Sequence, residues 1–237
     1  MESAAAIGWP ASVAELAALQ ERMARATAVV PWRPLDGLLV AGVFVTFPTG
    51  AGGPGRAGDA AWAAAASERD AVPVDEVVVR GAAGAPYRAG LLALREGALL
   101  EAAVRALAQR PDLVVVDATG RDHPRRAGLA LHLGAVLGLA TIGVTGRALA
   151  ASAARPGEER GASAPLLLDG ETVGYAVRTR AGANPLLAHA AFETTPEQAR
   201  DLLLALTPRF RTPRPLRRAR TLARVARAAD EGRRAGA

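Results

Sequence analysis

The 237-residue chain is 50% hydrophobic and carries 29 basic against 23 acidic side chains, a net charge of +6. A chain of this length buries a full core, so one domain is expected over 1–237, with its core over about 12–216. The absence of cysteine excludes disulfides and thiolate metal sites and suits a cytoplasmic location, and neither a secretory leader nor an apolar run long enough for a membrane span is recognisable.

The first part of the chain predicts a helix followed by antiparallel strands. Apolar residues recur at helical spacing over 11–26, and "LLVAGVFVTF", over 38–47, is typical of a buried strand. A glycine- and proline-rich loop over 48–58 leads to two further strands, "AAWAAAAS" and "VDEVVVRG". Because the connections are short, the three strands are expected to form an antiparallel meander.

The pattern after Gly90 alternates between helix and strand. A helix is predicted over 91–110, a buried strand over 112–120, a helix over 124–139 and a strand over 141–144. Strand, helix, strand in this order predicts a parallel pair. A hairpin centred on Asp169-Gly170 and two late helices, over 195–207 and 214–229, complete an α/β fold, a mixed sheet flanked by helices.

Basic charge is concentrated at the C-terminal end. Ten arginines lie between Arg209 and Arg234, against two acids, which gives this segment +8 and the rest of the chain −2. Residues 217–237 are expected to form an Arg-rich helix and tail after the core. Such a run is either a solvated helix or disordered arm, or a salt-dependent, nonspecific contact with phosphates.

Asp117 is the first residue that suggests chemistry. It ends an apolar strand at the carboxyl edge of the predicted sheet, where α/β folds place their sites, although a capping or turn aspartate is an equal alternative. His123 follows at the predicted start of the next helix, where a lone histidine before proline is more often structural.

A longer pattern around these two residues resembles the endonuclease V family. "RPDLVVVDATGRDHPRRAGLALHLGAVLGLATIGVTG", over 110–146, is similar to its central motif, in which a strand ends in aspartate before a glycine turn, His-Pro-Arg-Arg, a helix and a Thr-Ile-Gly-Val strand. "PYRAGLLALREGALL", "YAVRTRAGANPLLAHAAFETTPEQA" and "PRFRTPRPLRRARTLA" are similar to further family segments, in order across about 12–225. The resemblance implies a ribonuclease H-like fold. It also implies a magnesium- or manganese-dependent nuclease that cuts DNA near deoxyinosine, on the 3′ side of the lesion.

The resemblance places the metal-binding, catalytic carboxylates at Glu96 and Asp117. Three further polar positions of the family differ here. Phe44 occupies the position of an aspartate, Phe192 that of a late histidine and Gly146 that of a lysine. Phenylalanine neither coordinates a cation nor relays a proton. Metal-dependent cleavage is therefore expected to be weakened or lost.

Phe44 is expected to have joined the apolar packing. Alternation along "GVFVTF" puts Gly42, Phe44 and Thr46 on one face of the strand. The alternative is that Asp122 or His189 has taken over a ligand role, although neither position matches the motif.

The resemblance also implies a surface that recognises the altered base. Tyr87 is expected to act as a wedge in the duplex while the base is flipped into a pocket made largely of backbone. The residues expected to bind nucleic acid in this way are Tyr87, Gly90, Leu92, Gly120, His123 and Arg147. Ala89 stands where the family has a proline, which loosens the turn that presents Tyr87.

Three functions compete at this point. The chain is a nuclease with feeble metal chemistry, a silent relative that binds deaminated nucleic acid, or a scaffold that has lost both activities. Binding of nucleic acid and no membrane association are expected, and the sequence leaves open whether DNA or RNA is the ligand.

Overall fold

The computed structural model describes residues 7–26, 37–50 and 53–235. Within these ranges the chain forms helices and one large mixed sheet. The elements in chain order are α1 (Val13–Ala26), β1 (Leu39–Thr46), β2 (Ala60–Arg69), β3 (Val72–Ala82), α2 (Leu92–Arg105), β4 (Leu113–Val116), α3 (Leu129–Leu137), β5 (Ala140–Thr145), β6 (Ser152–Ala153), β7 (Ser163–Leu168), β8 (Glu171–Val177), β9 (Leu186–Ala190), α4 (Pro196–Ala205) and α5 (Arg214–Ala235).

The sheet has the strand order β3-β2-β1-β4-β5-β9-β8-β7-β6. β4 pairs in parallel with both β1 and β5, and the other neighbours are antiparallel. The predicted meander and the predicted parallel pair are both confirmed. The hairpin is confirmed as well, because Asp169 and Gly170 both adopt the positive φ, 51° and 82°, that a two-residue hairpin turn requires.

Alternation along β1 separates the two layers of helices. Val43 and Val45 pack into the core beneath α1, α2 and α3, whereas Phe44 packs on the opposite face. Gly42 shares that opposite face, and a Cβ atom there would lie 2.1 Å from the backbone nitrogen of Leu216 in α5. Glycine is therefore what allows α5 to approach the sheet closely.

The Arg-rich C-terminal segment is part of the packed structure. Leu216, Ala219 and Ala223 of α5 are fully buried against the sheet. Five of its arginines also form ion pairs with carboxylates: Arg214 with Glu68, Arg218 with Glu76, Arg220 with Asp117, Arg227 with Glu231 and Arg233 with Asp230. The expectation of a solvated helix or disordered arm is therefore wrong for 214–223, because Leu216, Ala219 and Ala223 are buried and Arg214, Arg218 and Arg220 pair with carboxylates outside the helix.

Two local expectations also change. The helix predicted over 124–139 begins only at Leu129, so His123 lies in the preceding turn rather than at a helix start. The chain turns back there because Arg126 adopts a positive φ of 53° and the Gly128 N–H donates to the Gly120 carbonyl at 2.8 Å. β6 and β9 were not among the predicted strands.

Over the residues that the structure describes, every helix is too short or too polar to cross a bilayer.

Candidate active site

Phe44 and Asp117 lie side by side at the carboxyl edge of the parallel strands. Val43 of β1 is in register with Val116 of β4, so Phe44 and Asp117 are the next residues on neighbouring strands. Phe44 is half-buried and packs against the apolar residues under α5. The prediction that Phe44 has become part of the packing is confirmed.

Arg220 occupies the space above this pair of residues. Its Nη2 atom lies 2.9 Å from Oδ2 of Asp117, and both side chains are about a quarter exposed, at 26% and 28%. The guanidinium carbons of Arg220 and Arg224 each lie 5.6 Å from the centroid of the Phe44 ring, within the range of a cation–π contact. The phenylalanine thus supports two cations, one of which neutralises the strand-end carboxylate.

Sequence reasoning missed Arg220 because it belongs to a dense run of arginines. The signal available in the sequence was the spacing of Arg220 and Arg224, four residues apart and therefore on one face of a helix. Most other arginines of the segment have the same kind of spacing to a neighbour, so the pattern does not single these two out.

Glu96 approaches the same edge from α2. Burial is the main cause that raises its pKa from the usual 4.5 to about 7; the positive charge of Arg95 opposes the shift, and the negative charge of Asp117 adds to it. Among the residues that the structure describes, no side chain or backbone N–H donates a hydrogen bond to Glu96 that would stabilise its charged form. The structure therefore brings Glu96 and Asp117 within electrostatic range of each other, as the resemblance implies.

The residues around Asp117 do not fit a divalent metal ion. In the described part of the chain, no group of three or more histidine, aspartate or glutamate side chains is placed to hold one. The position next to Asp117 on β1 carries an aromatic ring, Asp117 is already paired with a guanidinium, and Glu96 is largely protonated below pH 7. Hard cations such as Mg²⁺ need several oxygen ligands, and a neighbouring arginine opposes their binding electrostatically.

Phe192 lies away from Asp117. Its backbone N–H donates to Oγ1 of Thr141 at 3.1 Å, and its carbonyl accepts from the Thr141 N–H at 3.0 Å. Thr141 is at the start of β5, whereas Asp117 follows the end of the parallel strand β4. The structure therefore does not place Phe192 beside Asp117, since starts and ends of parallel strands are at opposite edges of a sheet.

Asp122 is buried and fully engaged in the fold. Its carboxylate accepts hydrogen bonds from the backbone N–H groups of Leu149, Ala150 and Ala151 at 2.9, 2.8 and 2.7 Å. It therefore holds the loop after β5 and is not available as a metal ligand. The alternative that Asp122 compensates for the missing aspartate is wrong for this structure.

His189 is also a structural residue. It is fully buried, its Nε2 lies 2.7 Å from Oγ1 of Thr145, and its Nδ1 lies 3.7 Å from the Asp122 carboxylate. Burial lowers the pKa of His189 to about 4, while Asp122 opposes the shift, so the ring is neutral near pH 7. Together with Asp122 it fixes the segment that carries Gly146 and Arg147, both of which are exposed.

The turn that carries Tyr87 is held from two sides. Tyr87 is 54% exposed, and its backbone N–H donates to the Pro54 carbonyl at 2.7 Å. Gly90 has a φ of 77°, which favours glycine, and its carbonyl lies 3.0 Å from Nε2 of His123. The structure thus brings Gly90 and His123 together, as the resemblance implies.

The hydrogen bonds of His123 define its tautomer. Its Nδ1 accepts from the backbone N–H of Arg125 at 3.1 Å, which leaves the proton on Nε2 to be donated to Gly90. Burial lowers the pKa of His123, so the neutral ring is the stable form near pH 7. The imidazole therefore connects the turn at Gly90 to the turn at Arg125 through its two ring nitrogens.

The remaining predicted contacts are placed by the backbone. Gly120 lies against β9, where a Cβ atom would be 2.1 Å from the Ala190 carbonyl oxygen, so no larger residue fits. Leu92 is the first residue of α2 and is half-buried.

Comparison with known proteins identifies the family. The family model for Endonuclease V matches residues 21–221. An Endonuclease V from Xanthomonas campestris is 37% identical over 216 residues, which are 91% of this chain and 89% of that protein. The chain belongs to the Endonuclease V family.

Solved structures of Endonuclease V confirm the ribonuclease H-like fold. The crystal structure of Endonuclease V from Streptomyces avermitilis matches with a TM-score of 0.83 and 38% identity, covering 95% of this chain and 96% of that one. Endonuclease V from Ciona intestinalis, solved in complex with a 24mer DNA containing an inosine followed by a ribo-adenosine, has the same fold at 19% identity, with a TM-score of 0.74 over 90% and 97% of the two chains.

Proposed function

We propose that this Endonuclease V family member binds inosine-containing DNA and that its metal-dependent cleavage is lost or greatly weakened. The observation that carries the proposal is the Phe44–Asp117–Arg220 cluster. An aromatic ring and a guanidinium adjoin the strand-end carboxylate at the position where the family resemblance implies a metal ion. Removing one polar group from such a site commonly costs about 10²–10³ in rate.

Binding of the altered base rests on the other end of the candidate site. The exposed Tyr87 is supported by a turn whose backbone is held by Pro54 and by His123. Stacking of a base on an aromatic ring contributes about 1–3 kcal/mol. The relative from Ciona intestinalis, crystallised with inosine-containing DNA, supports the same class of ligand for this chain.

Two measurements test the proposal. Fluorescence anisotropy in EDTA compares a duplex that contains one deoxyinosine with the same duplex without it, and we expect tighter binding to the first. A single-turnover nicking assay with Mg²⁺ or Mn²⁺ is expected to give no product above background. Equal affinity for the two duplexes would contradict base recognition and favour the scaffold function. Robust nicking that Asp117→Ala abolishes would contradict the loss of cleavage.

The nuclease alternative is favoured by one observation, the proximity of Glu96 and Asp117. Magnesium sites often use only one or two carboxylates together with substrate phosphates. Residual nicking that depends on both carboxylates would establish this alternative. A cytoplasmic location remains a prediction from the absence of cysteine.

A further inference from the structure

We propose that Arg220 and Arg224 form a phosphate-binding site that holds a nucleic-acid phosphodiester without a metal ion. The inference rests on the proposed binding of nucleic acid and names the groups that contact its backbone. It differs from a general basic tail, because it assigns the contact to two of the ten arginines between Arg209 and Arg234.

The partners of the α5 arginines distinguish Arg220 and Arg224 from the others. The guanidinium groups of Arg214, Arg218, Arg227 and Arg233 are each paired with a carboxylate that lies away from Asp117, and the guanidinium of Arg217 lies over the Phe210 ring, 3.6 Å from its centroid. Arg224 is exposed, and no acid among the described residues forms an ion pair with it. Around the Phe44 ring, two guanidinium groups therefore face one carboxylate, which leaves an excess of positive charge.

The geometry brings the two cations to one place. Arg220 and Arg224 are one helical turn apart on α5, and both guanidinium carbons lie 5.6 Å from the Phe44 ring centroid. The apolar ring limits the side-chain motion that binding would otherwise have to restrict. Both groups can therefore contact one phosphodiester or two adjacent ones.

Arginine is chemically suited to this ligand. Its planar guanidinium matches the oxygens of a phosphate and is more weakly hydrated than an ammonium group. Arg220 directs Nη2 at Asp117, and its other N–H groups remain for an anion. Asp117 would repel a phosphate by itself, but its charge is offset by this ion pair.

The test measures how binding of a plain duplex depends on salt, in EDTA. Each phosphate contact contributes about 1 to the slope of log K against log[NaCl]. We expect Arg224→Gln and Arg220→Gln each to reduce the slope by about 1, and Arg220→Lys and Arg224→Lys to retain it. Arg218→Gln is the matched control, because Arg218 is on the same helix, is paired with Glu76 and is not at the Phe44 ring. It should leave the slope unchanged.

The outcomes separate this inference from the proposed function. Wild-type slopes in Arg220→Gln and Arg224→Gln, or an equal reduction in Arg218→Gln, would overturn the phosphate site even if inosine is still preferred. Reduced slopes together with equal affinity for plain and inosine duplexes would support the phosphate site while contradicting base recognition. Arg224→Gln decides the matter if Arg220→Gln fails to fold, since Arg224 is exposed and has no described acid partner.

Discussion

The two ends of the candidate site differ in what builds them. The edge around Asp117 depends on a constellation of side chains, and there the aromatic ring of Phe44 and the guanidinium of Arg220 have changed its character. The turn around Tyr87 depends mainly on backbone geometry, with Gly90 at a φ of 77° and its carbonyl bonded to His123. A side-chain site can lose its chemistry through one substitution, whereas a backbone site persists as long as its turns do. The proposed function rests on this contrast, because it assigns base recognition to the backbone turns and the loss of cleavage to the side chains.

The largest expected effect is the restoration of nicking at the Asp117 edge. Phe44→Asp combined with Arg220→His should raise Mg²⁺-dependent nicking of an inosine duplex by at least about 10²-fold over wild type. The change supplies a carboxylate beside Asp117 and removes the guanidinium that competes with a metal ion. Single-turnover nicking measures the gain.

A second double variant tests the placement of the residues. Phe44→Asp with Phe192→His should nick no faster than Phe44→Asp alone, because Phe192 follows β9 and lies beside Thr141, at the start of β5. The packing that Phe44 loses is expected to cost about 1–3 kcal/mol of stability. Melting temperature measured with and without Mg²⁺ provides the control, since only variants that bind the ion should gain stability from it. A faster Phe192→His combination would mean that the late histidine position has been assigned wrongly.

Base recognition should respond to Tyr87. Tyr87→Ala is expected to reduce the preference for an inosine duplex by about 1–3 kcal/mol, because it removes a stacking surface, while Tyr87→Phe should retain most of it. Anisotropy titrations of both duplexes measure this preference. Tyr175→Ala, at a tyrosine bonded to Glu197 near α4, is the matched control. A Tyr87→Ala protein with unchanged preference would move the recognition surface elsewhere.

Glu96 should make the Asp117 edge sensitive to pH. Burial raises its pKa to about 7, so the folded protein retains a proton that the unfolded chain releases above pH 4.5. Stability from this residue is therefore full below pH 4.5 and is lost as the pH rises through 7. Glu96→Gln should be more stable than wild type by about 1–3 kcal/mol at pH 8 and nearly equal to it at pH 5. Urea titrations at the two pH values measure the difference. Mg²⁺ that stabilises the wild type but not Glu96→Gln at pH 8 would show that Glu96 binds an ion after all.

The smallest expected effect concerns His123. His123→Ala should cost about 1 kcal/mol, because it removes the hydrogen bond to the Gly90 carbonyl, and should weaken inosine preference to a similar or smaller degree. Burial lowers the pKa of His123, so the unfolded chain binds a proton below about pH 6.5 that the folded protein does not. The contribution of His123 to the free energy of unfolding is therefore full above pH 6.5 and falls as the pH drops below that value. Urea titrations at pH 8 and pH 5.5 measure how the free energy of unfolding changes with pH, and this change should be smaller for His123→Ala than for the wild type. An equal change in the two proteins would contradict this role of His123.

Local sequence determined most of the elements of this Endonuclease V family member. Alternation identified the two faces of β1, and the short connections predicted β1–β3 as a meander. Asp169-Gly170 defined a hairpin because few other residue pairs adopt positive φ twice in succession. The motif around Asp117 also indicated the family, since it extends over a whole strand, helix and strand. These features depend on neighbours within a few residues, and so the sequence expresses them directly.

Only the tertiary structure decided which distant residues meet at the Asp117 edge. Asp117 and Arg220 are far apart in the chain, and their contact depends on the register of β4 and on the rotation of α5 about its axis. That rotation is set by Gly42, which admits Leu216 against the sheet, and by the burial of Ala219 and Ala223. A run of arginines gives no local signal for which one points at a carboxylate, because a 100° step per residue turns each to a different direction. For the same reason the sequence did not show that Arg214, Arg218 and Arg220 would meet carboxylates outside their own helix.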